Sequence, residues 1–305
     1  MLNAFLIGSL CFIWGATWVA IKIGLSESPP FFGAAFRFLL ASVVLGLALA
    51  VRRHGLPRDR RILAWILASG LFMYFGSYAA VYWAEQYINA GLAAIIFASF
   101  PFFVAIGAHF HLPGERLSWL KVLGLIIGFA GIVVIFGGGL TMPDARIWWA
   151  MLVMLISPFS SAVASIMVKK HLTQEDPTVV NFLQMIVGVL VLFPFAFANE
   201  QLAAFHWSLV SIAAVSFLGI FGSAYTFVTY YHLLKTIEAS RMALIAFVTP
   251  VVAAVLGWLI LDETLALSTL LGAVLVFAGI YIVNVMARKP VPQVVRQPTG
   301  GGAAE

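Results

Sequence analysis

The chain has 305 residues, of which 63% are hydrophobic and 10% charged. A soluble domain carries about 45–50% apolar and roughly 25% charged residues, and the 17 basic and 12 acidic side chains here could not coat one. A water-soluble enzyme is thereby excluded. Lipid, in which a span needs about 20 mostly apolar residues, is the solvent that the composition fits. The net charge of +5 and the lone Cys11 add little, since one thiol inside an apolar run forms no internal disulfide.

Ten apolar runs follow one another, at 2–25, 31–51, 62–83, 90–110, 117–136, 147–168, 179–198, 209–231, 241–261 and 265–286. The first lacks a cationic leader and is longer than a signal-peptide core, so it reads as a retained span. Turn and charge clusters separate the runs, among them Ser28-Pro29-Pro30, Arg52 to Arg61, Pro113-Gly114-Glu115, Pro143-Asp144, Asp176-Pro177 and Asp262-Glu263. Runs of this length are helices, because lipid offers the backbone no hydrogen-bond partner. The fold class is therefore an all-α polytopic membrane protein, and residues 288–305 have the composition of a disordered cytoplasmic tail.

Lysine and arginine set the orientation. With the N-terminus in the cytoplasm, 14 of the 17 basic residues fall on cytoplasmic connections or the tail. Arg146 lies opposite, and Lys22 and Arg37 lie within spans. Both termini are then cytoplasmic, and the basic charge is a topology signal, with no nucleic-acid partner implied.

The two halves of the chain repeat each other. Phe129-Ala130-Gly131-Ile132 returns as Phe277-Ala278-Gly279-Ile280, an offset of 148 that also relates Gly124 to Gly272 and Glu115 to Glu263. Pro101 and Pro250 are 149 apart, and Pro30–Pro177 and Lys22–Lys169 are each 147 apart. Residues 1–140 and 141–287 thus form two five-span repeats. Because five is odd, the second inserts upside down, an arrangement that places a transport site near midplane between the halves.

Charges inside a membrane are costly and point to function. Lys22 and Arg37 both fall toward the outer half, where they could attract a substrate carboxylate. Alternatively, Lys22 snorkels to the outer headgroups and Arg37 ties helix ends through backbone carbonyls. No Asp or Glu falls near the middle of a span, and His109, His111 and His232 map to the cytoplasmic rim. Facilitated diffusion therefore stands beside proton-coupled exchange.

Polar and aromatic residues at midplane are the stronger lead. The first span offers Trp14, Thr17 and Trp18, and the third Tyr74, Ser77, Tyr78 and Tyr82. Ser99 lies beside Pro101, Thr249 beside Pro250, and Ser157, Ser160, Ser161 and Ser165 lie in the sixth span. Tyr225, Thr226 and Thr229 lie in the eighth. Residues four apart share a helix face, which stacks Tyr78 on Tyr82, Ser161 on Ser165, and Tyr225 on Thr229. A buried tyrosine hydroxyl is unfavourable without a partner or a wet cavity, so these residues together with Trp18 and Ser99 are expected to line a substrate cavity. Hydroxyls also simply bond across helices, and Tyr82 could belong to an interfacial aromatic belt. Pro101 and Pro250 are expected to kink their helices at matching places and to serve as hinges, or as static bends. Gly124 and Gly128 permit close internal helix packing.

Ten spans in two opposed halves, Trp14-Gly15 with Lys22 beyond it, the paired prolines, the elements ending at Glu115 and Glu263, and the repeated Phe-Ala-Gly-Ile resemble the drug/metabolite transporter superfamily, EamA type, over about residues 2–287. Within it, the chain is similar to bacterial exporters of aromatic amino acids. The resemblance implies a central cavity surrounded by spans 1–4 and 6–9, with spans 5 and 10 as outer supports, and export across the inner membrane. Cavity lining would fall on Tyr78, Tyr82, Ser99 and the facing groups of spans 6, 8 and 9. The expected function is export of aromatic amino acids and related small metabolites by alternating access, by a monomer in the bilayer without cofactor or metal. A broad-specificity drug or nucleotide-precursor exporter, or a non-transporting scaffold, is the alternative. An enzyme should cluster His, Asp or Cys at one depth, and the sequence offers no such cluster.

Overall fold

In lipid each backbone must satisfy its own hydrogen bonds, and helices do so within one segment. The computed structural model describes residues 2–88, 90–136, 145–261 and 267–286, all without a strand. The first half contains α1 (Leu2–Leu25), α2 (Pro30–Val51), α3 (Arg60–Ala84), α4 in two pieces (Ala90–Phe97 and Phe100–His111) and α5 (Trp119–Phe136). The second contains α6 (Ala145–His171), α7 (Pro177–Asn199), α8 (Leu209–Leu234), α9 in two pieces (Ala239–Met242 and Ile245–Leu261) and α10 (Leu267–Tyr281, continued to Met286). Among the described residues nine helices are long and apolar enough to cross a bilayer, and Trp119–Ile135 is a shorter tenth. The tail 288–305, Pro143-Asp144 and Asp262-Glu263 lie outside the described residues.

Caps at the water-facing ends explain where several helices start. The Asp59 carboxylate accepts from Arg61 N at 2.7 Å, that of Asp176 from Thr178 N at 2.7 Å, and the Ser208 hydroxyl from Ser211 N at 3.1 Å. Each satisfies a first-turn N–H that has no intrahelical acceptor. Burial alone would raise the Asp176 carboxyl, but the hydrogen bonds from Thr178 and Val179 outweigh it and hold the group below its ordinary range. Glu200 reaches across from the end of α7 and accepts from Phe31 N and Phe32 N at 2.9 and 3.0 Å, capping α2.

The paired prolines behave differently from each other. Pro101 opens the second piece of α4 just after a break at Ala98-Ser99, whereas Pro250 sits inside the continuous piece Ile245–Leu261. The expectation of two kinks at one matching place is therefore corrected. A proline leaves the carbonyl four residues back without its N–H. The Thr249 hydroxyl donates to that carbonyl, Ala246 O, at 3.5 Å, which lets α9 continue. Its actual discontinuity falls earlier, at Ala243-Leu244.

Packing follows an inverted two-fold pattern. Helices α5 and α10 lie against each other, and so do α2 and α7. The contact of α1 with α9 is answered by that of α4 with α6, that of α1 with α8 by α3 with α6, and that of α2 with α8 by α3 with α7. Direction is fixed at the α5–α10 seam. A Cβ on Gly124 would stand 2.8 Å from the Gly279 carbonyl, and one on Gly272 2.5 Å from the Gly131 carbonyl. These repeat-related helices thus run antiparallel, and only glycine allows the backbones so close.

Candidate functional site

Where the two halves meet, a cavity of about 100 Å³ is lined by described residues of α1, α2, α3, α4, α6, α8 and α9. Supports α5 and α10 contribute none of them. The wall is largely aromatic, and its rings brace one another edge to face. The Trp14 and Phe227 centroids are 5.5 Å apart at 65°, those of Trp18 and Phe97 5.7 Å apart at 69°, and those of Tyr78 and Phe227 6.3 Å apart at 64°. Offset and edge-to-face geometries are those that ring quadrupoles favour.

One cation faces this cavity. Arg37 on α2 is 1% exposed. Its Nε donates to Ser223 Oγ at 2.7 Å and its Nη2 to the Gly222 carbonyl at 2.9 Å. The guanidinium also lies 4.9 Å from the Tyr78 ring centre and 5.4 Å from that of Phe38, a cation–π arrangement. Nη1 is buried and makes no close hydrogen bond, with the Tyr78 and Tyr82 hydroxyls beside the guanidinium. The reason Arg37 can sit here is local: α8 widens into a π segment over Ile220–Tyr225, and π turns expose carbonyls and mark functional places in helices. At Gly222 a Cβ would meet Thr17 Cγ2 at 2.8 Å and Arg37 Nη2 at 3.4 Å. Helix α3 carries the counterpart, a π segment over Leu71–Ser77, where a Cβ on Gly76 would stand 3.0 Å from Ser160 Oγ.

Of the residues expected at the site, Trp18, Arg37, Tyr78, Ser161 and Ser165 lie together on this wall. Tyr82 is buried one turn beyond, its hydroxyl beside the Arg37 guanidinium, and is not among the wall residues. Ser99 donates to Ile96 O at 2.7 Å at the α4 break, spending its hydroxyl on backbone. Thr229 lines a separate cleft with Leu6, Asp176 and His232. Tyr225 requires a correction. It is 36% exposed on the outside of the bundle and shares a 2.9 Å hydrogen bond with Ser9 Oγ. The physical reason is the π segment, whose wider turns rotate the helix face away from ideal spacing, so that Phe227 and Tyr230 point inward instead.

The partners of Tyr74 and a second buried polar network lay outside the sequence expectation. Tyr74 donates to Asn181 Oδ1 at 2.9 Å, Tyr231 to Gln184 Oε1 at 2.9 Å, and Gln184 Nε2 to Ser69 Oγ at 2.6 Å, joining α3, α7 and α8. Two amides inside an apolar run were the available signal. The repeated Phe-Gly-Ser at 75–77 and 221–223 likewise marks both π segments.

The two ends of the bundle differ. At one, Lys169 Nζ donates to Leu234 O and Ile237 O at 2.6 and 3.0 Å. Beside it the Glu115 carboxylate accepts from Ala239 N and Ser240 N at 2.8 and 3.0 Å, and Lys121 pairs with Glu238 at 3.2 Å. At the other end Lys22, the repeat partner of Lys169, lines an open cleft with Ser26, Pro30, Glu85, Gln86 and Ile88. Glu85 and Ile88 stand 149 residues before Leu234 and Ile237. Glu85 lies in the connection after α3 with Oε1 buried and unpartnered, and burial raises its carboxyl to about 8 against the pull of Lys22 and Arg37.

A bundle of spanning helices with a cavity between its halves is the architecture of secondary transporters. The sequence model of the EamA-like transporter family matches residues 1–137 and again 148–285, and the chain belongs to that family. It is 28% identical to the uncharacterized transporter YoaV of Bacillus subtilis over 90% of this chain and 94% of that protein. It is 30% identical to the uncharacterized inner membrane transporter YedA of Escherichia coli, over 90% of this chain and 88% of that one. A solved crystal structure, 19% identical, matches 94% of this chain and 99% of its own with a TM-score of 0.80, a likeness of fold.

Proposed function

We propose that this transporter carries small ring-bearing metabolites with a carboxylate, aromatic amino acids among them, out of the cytoplasm by alternating access. The observation that carries this reading is the cavity lined by aromatic rings and by the buried guanidinium of Arg37. Rings stacked on an aromatic wall gain about 0.5–1.5 kcal/mol per pair beyond area burial, which suits binding that must also release. The charge-assisted hydrogen bond from Arg37 supplies orientation. The distribution of Lys and Arg supports both termini lying in the cytoplasm, and the likeness to an inner membrane transporter supports the bacterial plasma membrane as its location.

Alternation rests on the two lysines. In this state Lys169 ties the ends of α6 and α8 together, while Lys22 makes no hydrogen bond among the described residues. In the opposite state Lys169 lets go and Lys22 binds the backbone at Glu85 and Ile88, the repeat-related positions. Each latch closes one end of the same cavity. The test is flux of labelled phenylalanine or tryptophan into proteoliposomes, with and without a pH gradient. Saturable flux that needs no gradient and falls at least about tenfold in Tyr78→Ala is the expected result. Flux equal to that of protein-free vesicles would overturn the reading.

A further inference from the structure

The charge inventory of the cavity points to a narrower substrate class. Arg37 is wholly buried, and among the described residues no carboxylate forms an ion pair with it. A guanidinium does not give up its proton in a protein, so the cavity wall carries one positive charge with no carboxylate in ion-pair contact among the described residues. The other unpartnered polar atoms on the wall are Trp14 Nε1, Ser165 Oγ and Tyr230 OH. The indole only donates, and the two hydroxyls donate or accept without charge. No Asp or Glu is among the described wall residues, and Glu85 lines the separate cleft beside Lys22.

Resting on the proposed transport of ring-bearing carboxylates, we infer that the cavity selects aromatic monocarboxylates that lack an ammonium group over the corresponding amino acids. A monoanion neutralises Arg37 and buries an apolar body against the rings. A zwitterion brings the same carboxylate but also a buried ammonium for which the wall holds no anion, and an uncompensated buried charge is strongly unfavourable. Ring faces offer that ammonium only partial relief. An aromatic amine without a carboxylate meets like charge and finds no partner.

The experiment compares three compounds that share a phenyl ring and a two-carbon chain. These are phenylpropanoate, phenylalanine and phenethylamine. Equilibrium binding of each tritiated compound is measured on the purified full chain in detergent at neutral pH, beside phenylalanine flux in proteoliposomes. The expected order is phenylpropanoate tighter than phenylalanine by about tenfold or more, with phenethylamine unbound. Arg37→Gln abolishes the preference and Arg37→Lys keeps it. The ranking in the unmodified chain is decisive even where Arg37→Gln fails to fold. Phenylalanine binding as tightly as phenylpropanoate, or an unchanged order in a folded Arg37→Gln, overturns the inference while measured phenylalanine flux leaves transport standing. No binding of any of the three compounds together with no phenylalanine flux overturns both.

Discussion

Tyr78 and Tyr225 show how far a single side chain's role depends on its neighbours. Both are tyrosines near the middle of apolar runs, yet one lies on the cavity wall and the other outside against Ser9. Tyr225→Phe is expected to leave transport unchanged and to cost about 0.5–1.5 kcal/mol, the net worth of one hydrogen bond, read as a small drop in thermal midpoint. Tyr78→Ala by contrast removes a wall and the ring beneath Arg37. Glu85 gives a pH prediction with a definite sign. Its folded carboxyl titrates at about 8, above the roughly 4.3 of an unfolded glutamate. Between those values the folded chain binds the extra proton, so stability falls as pH rises through that window and stays low above it. The thermal midpoint in detergent should be lower at about pH 9 than at about pH 6, and Glu85→Gln should flatten that slope. An unaltered slope in the variant would remove Glu85 as its source. Arg37 was legible from the sequence as an intramembrane charge, but its partners were not, because Ser223 and Gly222 are 186 and 185 residues away.

Helices were legible to within a turn at most ends, because each apolar run must satisfy its own backbone. Their interruptions were not. The π segments of α3 and α8 depend on packing across the bundle, where Gly76 abuts Ser160 and Gly222 abuts Thr17 and Arg37. Ideal four-residue spacing therefore placed Tyr225 and Thr229 on the wrong side of α8. Gly222→Ala is expected to displace Thr17 and Arg37 together, with a stability loss of about 1–3 kcal/mol typical of overpacking and a loss of flux. A folded variant with full flux would show that the close approach is not needed. The lysine latch belongs to this scale as well. Lys169→Met removes the bonds to Leu234 and Ile237 and should raise the rate at which an impermeant maleimide labels Ser165→Cys from the α6 C-terminal end. Unchanged labelling would contradict the latch.

As a whole the molecule pairs the helices of its first half with those of its second, and the repeated Phe-Ala-Gly-Ile falls on the seam between α5 and α10. The glycine seam between α5 and α10 fixes the antiparallel sense, and the pairing of α2 with α7 and α3 with α6 closes a cavity at the junction. What no periodicity conveys is which polar groups remain unspent after packing. Ser77, Ser157 and Ser161 satisfy one another across α3 and α6, while Arg37, Ser165 and Tyr230 line the hollow. The account stands on a substrate ring entering that hollow. An experimental structure of the protein with a bound iodinated phenylalanine tests this most directly. The account places the iodine signal among Trp18, Tyr78 and Phe227 with the carboxylate on Arg37, whereas a signal confined to the lipid-facing surface or to the cleft at Lys22 would contradict it.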